Sequence, residues 1–213
     1  MSLYDLSPPL SPAIAVWPGD TPFSFALAWA MTRGDPVNVG TITLSTHTGS
    51  HVDAPIHILA EGSPVDELPL EPFIGPALLI DAVGAPAVGL AALAGLDAAP
   101  PERLLVRTRR RTDPARFDSA YSPLAPEAAE RLVELGVRLY GTDAPSIDPF
   151  DSLSFDAHRI LARGGVMILE GLRLDEPPPG IYELIALPLR IAGGDASPVR
   201  AVLRTRAPAP ARP

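Results

Sequence analysis

Prolines and glycines, 27 and 17 in a chain of 213 residues, weigh against long uninterrupted helices. Each proline removes a backbone donor, and each glycine costs helix stability. The chain is cut into short segments, which favours strands and loops. Residues 1–30 read as short strands around a Trp17-Pro-Gly-Asp20 turn, and 38–53 as one strand. Phe73–Ala82 and Arg103–Arg107 read as buried strands, separated by an Ala/Gly/Pro-rich segment with a helical turn near Gly89 to Ala94. Pro126–Leu135 has the marks of a helix: proline in its first turn, Glu127 early, Leu132 and Val133 on one side and Gly136 as the stop. Val137 to Asp143 then reads as a buried strand that delivers Asp143 to a loop. Residues 154–163 form a second expected helix, capped by Ser154 and terminated by Gly164-Gly165. His158 falls in its middle, and Glu170 ends the buried strand Val166–Leu169. Ile181–Leu189 and Val199–Arg206 are the last strands. The Ala/Pro-rich segment 207–213 lacks apolar bulk and is expected to be disordered. The expectation is one α/β domain over residues 1–206, with a mixed, mostly antiparallel sheet and a few packed helices.

Three of the four histidines fall in His47-Thr-Gly-Ser-His51-Val-Asp53-Ala-Pro-Ile-His57, with a carboxylate among them. Imidazole nitrogen and carboxylate oxygen without thiolate make a donor set suited to zinc, and also to manganese, iron or cobalt. In an extended segment His47, His51 and Asp53 share parity and project to one face, with Gly49 leaving room between them. A helix would instead pair His47 with His51 at i, i+4, but the β-branched, alternating stretch from Val39 to Thr46 favours a strand. Pro55 turns the chain, which lets His57 return toward the same region. The fourth histidine is His158, and the acidic Glu170 beside a buried strand needs a partner. Four unrelated histidines are the plainer alternative, and the spacing His-x3-His-x-Asp-x3-His argues against it. On the residues alone, the role of His57 stays open between a third imidazole ligand, a group behind a ligand and a free acid/base. Trp17 stays open between a core residue of an N-terminal hairpin and the wall of a binding pocket.

These motifs resemble the cyclase-like metal-dependent hydrolase family, which includes the bacterial kynurenine formamidases, or arylformamidases. The family pattern His-x-Gly-Thr-His-x-Asp-x-Pro-x-His differs here only at Ser50, which keeps the hydroxyl. The formamidase branch is most similar, through Leu3-Tyr-Asp-Leu-Ser-Pro-Pro-Leu10, Val16-Trp17-Pro-Gly-Asp20, Gly141-Thr-Asp-Ala-Pro-Ser-Ile-Asp148, Ile168-Leu-Glu170-Gly-Leu172 and Tyr182-Glu-Leu-Ile-Ala-Leu-Pro-Leu189. The resemblance runs from about residue 3 to 204. Arg159 stands where many relatives carry a second histidine, which leaves His158 as the candidate in that segment. The resemblance implies a swivelling β/β/α fold with a barrel-like sheet and two zinc ions per subunit. His47, His51 and Asp53 would hold one ion, and Asp53 would bridge to a second held by His158 and Glu170. His57 would stay off the metals as general acid/base, and Trp17 would line the substrate pocket. The implied reaction is hydrolysis of N-formyl-L-kynurenine to L-kynurenine and formate in tryptophan degradation, by a homodimer. The alternatives are a relative acting on a cyclic amide such as isatin or on another small acyl substrate, and a metal binder without turnover.

Composition bounds the partners. A net charge of −8 repels nucleic acid and anionic membranes, so neither is an expected partner. The one basic run, Arg107-Thr-Arg109-Arg110-Arg111, reads either as an anion site or, after Leu104-Leu-Val106, as a strand end in a solvated loop. Zero cysteines exclude disulfides and thiolate ligands and are compatible with the cytoplasm. The amino terminus lacks a basic region followed by an apolar run, and no stretch approaches a membrane span. A soluble, cytoplasmic enzyme is the expectation.

Overall fold

The computed structural model describes residues 2–205; the expected disordered tail at 207–213 lies outside them. In chain order the strands and α-helices are β1 Leu3–Asp5, β2 Ser24–Trp29, β3 Val39–Thr43, β4 His51–Asp53, β5 Ile74–Asp81, β6 Arg103–Arg107, α1 Pro126–Glu134, β7 Leu139–Thr142, α2 Asp156–Arg163, β8 Met167–Glu170, β9 Gly180–Ile185, β10 Ala196–Pro198 and β11 Val202–Thr205. Nine strands form one sheet in the order β1-β11-β9-β5-β6-β7-β8-β4-β10, and β2 and β3 make a separate hairpin. The run β5-β6-β7-β8 is parallel, and the flanking pairs are antiparallel. The expected mixed, mostly antiparallel α/β sheet is what forms.

Leu104, Leu105 and Val106 of β6 are all fully buried, as a strand covered on both faces requires. Leu104 and Val106 join Tyr140, Ile168 and the inner faces of the helices, including Leu132 of α1 and Leu161 of α2. Leu105 points the other way, into a core shared with Val52, Leu79, Leu169, Leu184 and Leu203. Strands from both ends of the sheet meet in that second core, so the sheet curls into a half-barrel with the helices packed outside it. The helix in α1 forms as read, with Pro126 at its start and Ala128, Ala129 and Leu132 buried.

Several boundaries differ from the sequence reading, for local reasons. The single strand expected over 38–53 is two strands separated by a turn in which Gly49 has φ +70°. Parity therefore does not carry from His47 to His51, and His47 sits in the turn. The Ser50 hydroxyl fixes that turn by donating to the Gly171 carbonyl at 2.9 Å, with the Leu6 carbonyl as the alternative acceptor at 3.3 Å. Ser154 does not cap α2. Phe155 occupies the cap position with φ 51°, the Ser154 hydroxyl donates to Asp156, and the Asp148 carboxylate accepts the backbone N–H of Ala157 and of His158, each at 3.0 Å. The strand expected to reach Leu189 stops at Ile185, before Pro188, and the last strand starts at Val202 rather than Val199. Between β1 and β2 the chain is irregular, with Trp17 opening a turn closed by the Asp20 N–H on its carbonyl at 2.9 Å.

Gly171 has φ +67°, and a Cβ there would lie 2.3 Å from the Gly49 carbonyl oxygen. Gly171→Ala must push the His47 turn away from the end of β8. The expected cost is about 2 kcal/mol or more, read as a lower urea midpoint with unchanged slope. An unaltered midpoint would show that this close approach does not tie the two segments together.

Candidate metal centre and its cavity

Strand register decides which side chains converge. His51 lies opposite Glu170 in the β4–β8 pairing, with Val52 opposite Leu169. Val52 and Leu169 fill the enclosed core, so His51, Asp53 and Glu170, at alternate positions, face the helix-covered side. There α2 lays His158 down upon them. His51, Asp53, His158 and Glu170 are all buried, and His47 enters from the turn before β4.

The two oxygens of Asp53 address different partners. Oδ1 lies 3.1 Å from Nδ1 of His47 and 3.4 Å from Nε2 of His51, while Oδ2 lies 3.4 Å from Nε2 of His158. Glu170 sits 3.2 Å from Nε2 of His158 through Oε1 and 3.4 Å from Nε2 of His51 through Oε2. Neither Asp53 oxygen has a hydrogen-bond partner, although both are buried. A buried, unsatisfied carboxylate is costly unless a cation completes it. The donor atoms of His47, His51 and Asp53, and those of Asp53, His158 and Glu170, fall in two groups, each within 4.8 Å of one another. The five residues singled out in the sequence are thus brought together, in two sets that share Asp53, and their hard and borderline donors fit one or two divalent ions.

Each imidazole is held from behind. Nδ1 of His158 is 2.6 Å from Asp148 Oδ2, Nδ1 of His51 is 2.9 Å from the Gly49 carbonyl, and Nε2 of His47 is 3.0 Å from Asp195 Oδ2. Thr46 in turn donates to Asp195 Oδ1 at 2.9 Å. Such partners fix the tautomer that presents the opposite nitrogen to an ion. The sequence alone assigns no role to Asp148 or Asp195. Asp148 lies in the Gly141–Asp148 motif, where its type was visible but not its use. Asp195 follows Gly193-Gly194 and meets the site only because β10 pairs with β4, placing Ala196 opposite Asp53.

Electrostatics follow the geometry. Burial favours neutral His51, but the carboxylates of Asp53 and Glu170 outweigh it and hold the imidazole up at about 10. Burial likewise opposes the charged Asp53, yet His158, His47 and His51 hold its carboxyl well below the usual range. His57 differs. It occupies the short 3-10 turn Pro55–His57, its ring centroid is 4.3 Å from that of His47, and its Nδ1 is 3.8 Å from Asp195. It belongs to neither Asp53 group, although its donor atoms also lie within 4.8 Å of those of His47 and Asp195, and burial holds it below the ordinary histidine range.

A cavity of about 330 Å³ opens onto these residues, lined by His47, His51, His57, His158 and Glu170 together with Trp17, Phe117, Phe155 and Arg109. Trp17 packs edge-on against Phe117 at 5.3 Å and tilted against Phe150 at 5.1 Å, so it walls the cavity rather than filling a hairpin core. The basic run does not act as a unit. Arg107 pairs with Asp81, Arg110 and Arg111 are exposed, and Arg109 turns into the cavity.

A curled mixed sheet carrying a buried His/Asp/Glu centre against an aromatic-walled cavity defines a class of metal-site α/β proteins. Within that class, the family model Cyclase, described as "Putative cyclase", matches residues 4–149, and the chain belongs to this family. A solved structure described as a potential metal-dependent hydrolase with cyclase activity is similar at 28% identity and TM-score 0.84, covering 97% of this chain and 99% of that one. A predicted metal-dependent hydrolase from Bacillus stearothermophilus is 29% identical with TM-score 0.81, covering 95% and 97%. Isatin hydrolase A from Labrenzia aggregata, bound to benzyl benzoate, is 30% identical with TM-score 0.79, covering 96% and 94%. Among the described residues no helix is long and apolar enough to cross a membrane.

Two substitutions probe the centre. Asp148→Asn keeps the size but removes the charge behind His158, and metal affinity measured by chelator competition should fall about 10- to 100-fold. Asp53→Asn should lower the metal bound per chain, measured by elemental analysis, because it weakens both groups at once. An undiminished ratio would count against a shared carboxylate.

Proposed function

We propose that the chain is a metal-dependent amidohydrolase that converts N-formyl-L-kynurenine and water to L-kynurenine and formate. The observation that carries the hydrolase reading is Asp53, whose two buried, hydrogen-bond-free oxygens face separate histidine sets. Two ions, zinc by donor set, would be held by His47, His51 and Asp53 and by Asp53, His158 and Glu170. Ions so held supply Lewis acidity, lowering the pKa of water toward about 7 and offsetting negative charge that develops on a carbonyl oxygen. The chain supplies the rest. Asp148 and Asp195 orient His158 and His47, and the cavity wall of Trp17 and Phe117 gives an aromatic anilide a face to pack on. His57, outside both ligand groups and on the cavity wall, is the residue free to deliver a proton to the departing amine. A binder without turnover has no use for such a group.

The formanilide substrate is supported by the similarity to the formamidase branch at Val16–Asp20 and Gly141–Asp148. Opening of a cyclic amide is the second reading, supported by the likeness to isatin hydrolase A. For assembly we infer a homodimer, supported by the β2–β3 hairpin, which exposes Phe25, Trp29 and Ile42.

The deciding experiment compares N-formyl-L-kynurenine and isatin as substrates of zinc-loaded and chelator-stripped protein. Chelator-sensitive release of L-kynurenine supports the formamidase reading, and turnover of isatin alone replaces it with the second. His57→Ala should keep its metal while activity drops about 100-fold or more. Loss of bound metal in that variant would instead make His57 a ligand.

A further inference from the structure

Three adjacent parallel strands end at one edge of the sheet, and each delivers a polar residue to the cavity there. β8 delivers Glu170, β7 leads into Asp143, and β6 leads through Thr108 into Arg109. Asp143 is committed to structure. Its buried carboxylate accepts the backbone N–H of Thr108 and of Arg109, each at 3.0 Å, and the Thr108 hydroxyl at 2.6 Å. That grip turns the chain at Arg109 and sets its side chain against the cavity.

Among the described residues the guanidinium of Arg109 makes no contact ion pair and donates no hydrogen bond, although the Asp143 carboxylate lies near enough to feel its charge. Its Nε and Nη2 are both buried and without a partner. These two nitrogens form one side of the guanidinium fork, the edge that pairs with both oxygens of a carboxylate. The Thr112 hydroxyl, also lining the cavity, is likewise buried and unpartnered. Tyr121 supports the arrangement, its ring centroid 6.0 Å from Arg109 Cζ. Arg109 is half-buried, but guanidinium nitrogens shut off from water without a partner are costly, and a ligand that completes them recovers that cost.

We propose that Arg109, assisted by Thr112, binds the carboxylate of the substrate, so that the cavity takes aromatic ligands carrying an anionic group as well as the bond to be cleaved. Strand spacing of ~4.8 Å places the end of β6 on the order of 10 Å from the end of β8. The ligand must therefore bridge the metal centre and the fork. A kynurenine, with its amino-acid carboxylate on a short chain beyond the ring, has that form. Isatin, which is compact and uncharged, leaves Arg109 unpaired. This inference rests on the proposed reading of the centre only in supposing that ligands bind in this cavity, and it selects between the two substrates.

The test is calorimetric binding to zinc-loaded protein of L-kynurenine and of 2-aminoacetophenone, which has the same aminoaryl ketone without the carboxylate. The wild type should prefer L-kynurenine. Arg109→Gln should weaken L-kynurenine binding by at least about tenfold and 2-aminoacetophenone binding far less. Arg109→Lys, which keeps the charge without the fork, should fall between, and Thr112→Val should cost a few-fold. Unchanged L-kynurenine affinity in Arg109→Gln, equal losses for both ligands, or no preference in the wild type would each overturn the assignment. Selective loss of L-kynurenine binding in a protein that does not hydrolyse N-formyl-L-kynurenine would uphold it while removing the formamidase reading.

Discussion

The structure turns on a carboxylate that has no reason to be buried unless cations reach it. Asp53 is almost completely excluded from solvent, accepts no hydrogen bond and is approached by three imidazoles. Replacing water by imidazoles alone leaves its lone pairs unsatisfied, and protonated imidazoles would answer its charge but could not serve as ligands. Divalent ions resolve both problems at once. The carboxylate behind His158, the carboxylate behind His47 and the carbonyl behind His51 then follow as the means of keeping each ring turned toward Asp53 and Glu170.

The fold serves this centre by dividing its sheet. The central strands β6, β7 and β8 are buried on both faces and apolar nearly throughout, so they present polar residues chiefly where they end. The short antiparallel strands β4 and β10 are attached beside them, and β4 alternates His51 and Asp53 toward the helices with Val52 toward the core. Candidate ligands thereby come from a rigid, hydrogen-bonded ladder on one side, from helix α2 on the other and, at His47, from the turn before β4, while the turns at His57 and Arg109 complete the cavity wall.

Much of this was legible in the residues, for identifiable reasons. The candidate ligands His51 and Asp53 could be read because imidazole and carboxylate at i, i+2 on a strand leave a direct signature, His158 because it is the one histidine outside that segment, and Glu170 because it ends an otherwise apolar strand. His47 does lie beside them, but not through strand parity, since Gly49 breaks the strand on which parity is counted. The two helices were visible through Pro126, Gly136 and Gly164, but the cap of α2 was not, because the atoms that cap it belong to Asp148, several residues upstream and across a loop. Asp195 and Arg109 were out of reach on similar grounds. What makes Asp195 matter is a strand pairing, and what separates Arg109 from Arg107, Arg110 and Arg111 is the grip of Asp143 on the preceding backbone. A charged residue's partner is a three-dimensional fact even when its type is plain.

The pairing of β4 with β8 and β10 has a kinetic side. His47 and Asp195 touch across 148 residues of chain, so the centre cannot assemble within any local fragment. Loops of that length close slowly, and contacts across them form late in folding. A metal ion would therefore meet the complete candidate set only once the whole sheet has closed, and would bind the native state while having little to hold in the unfolded one. Supply of metal then acts on this protein as a ligand acts on any folding equilibrium, raising its stability by mass action and making its persistence a function of the free ion concentration around it.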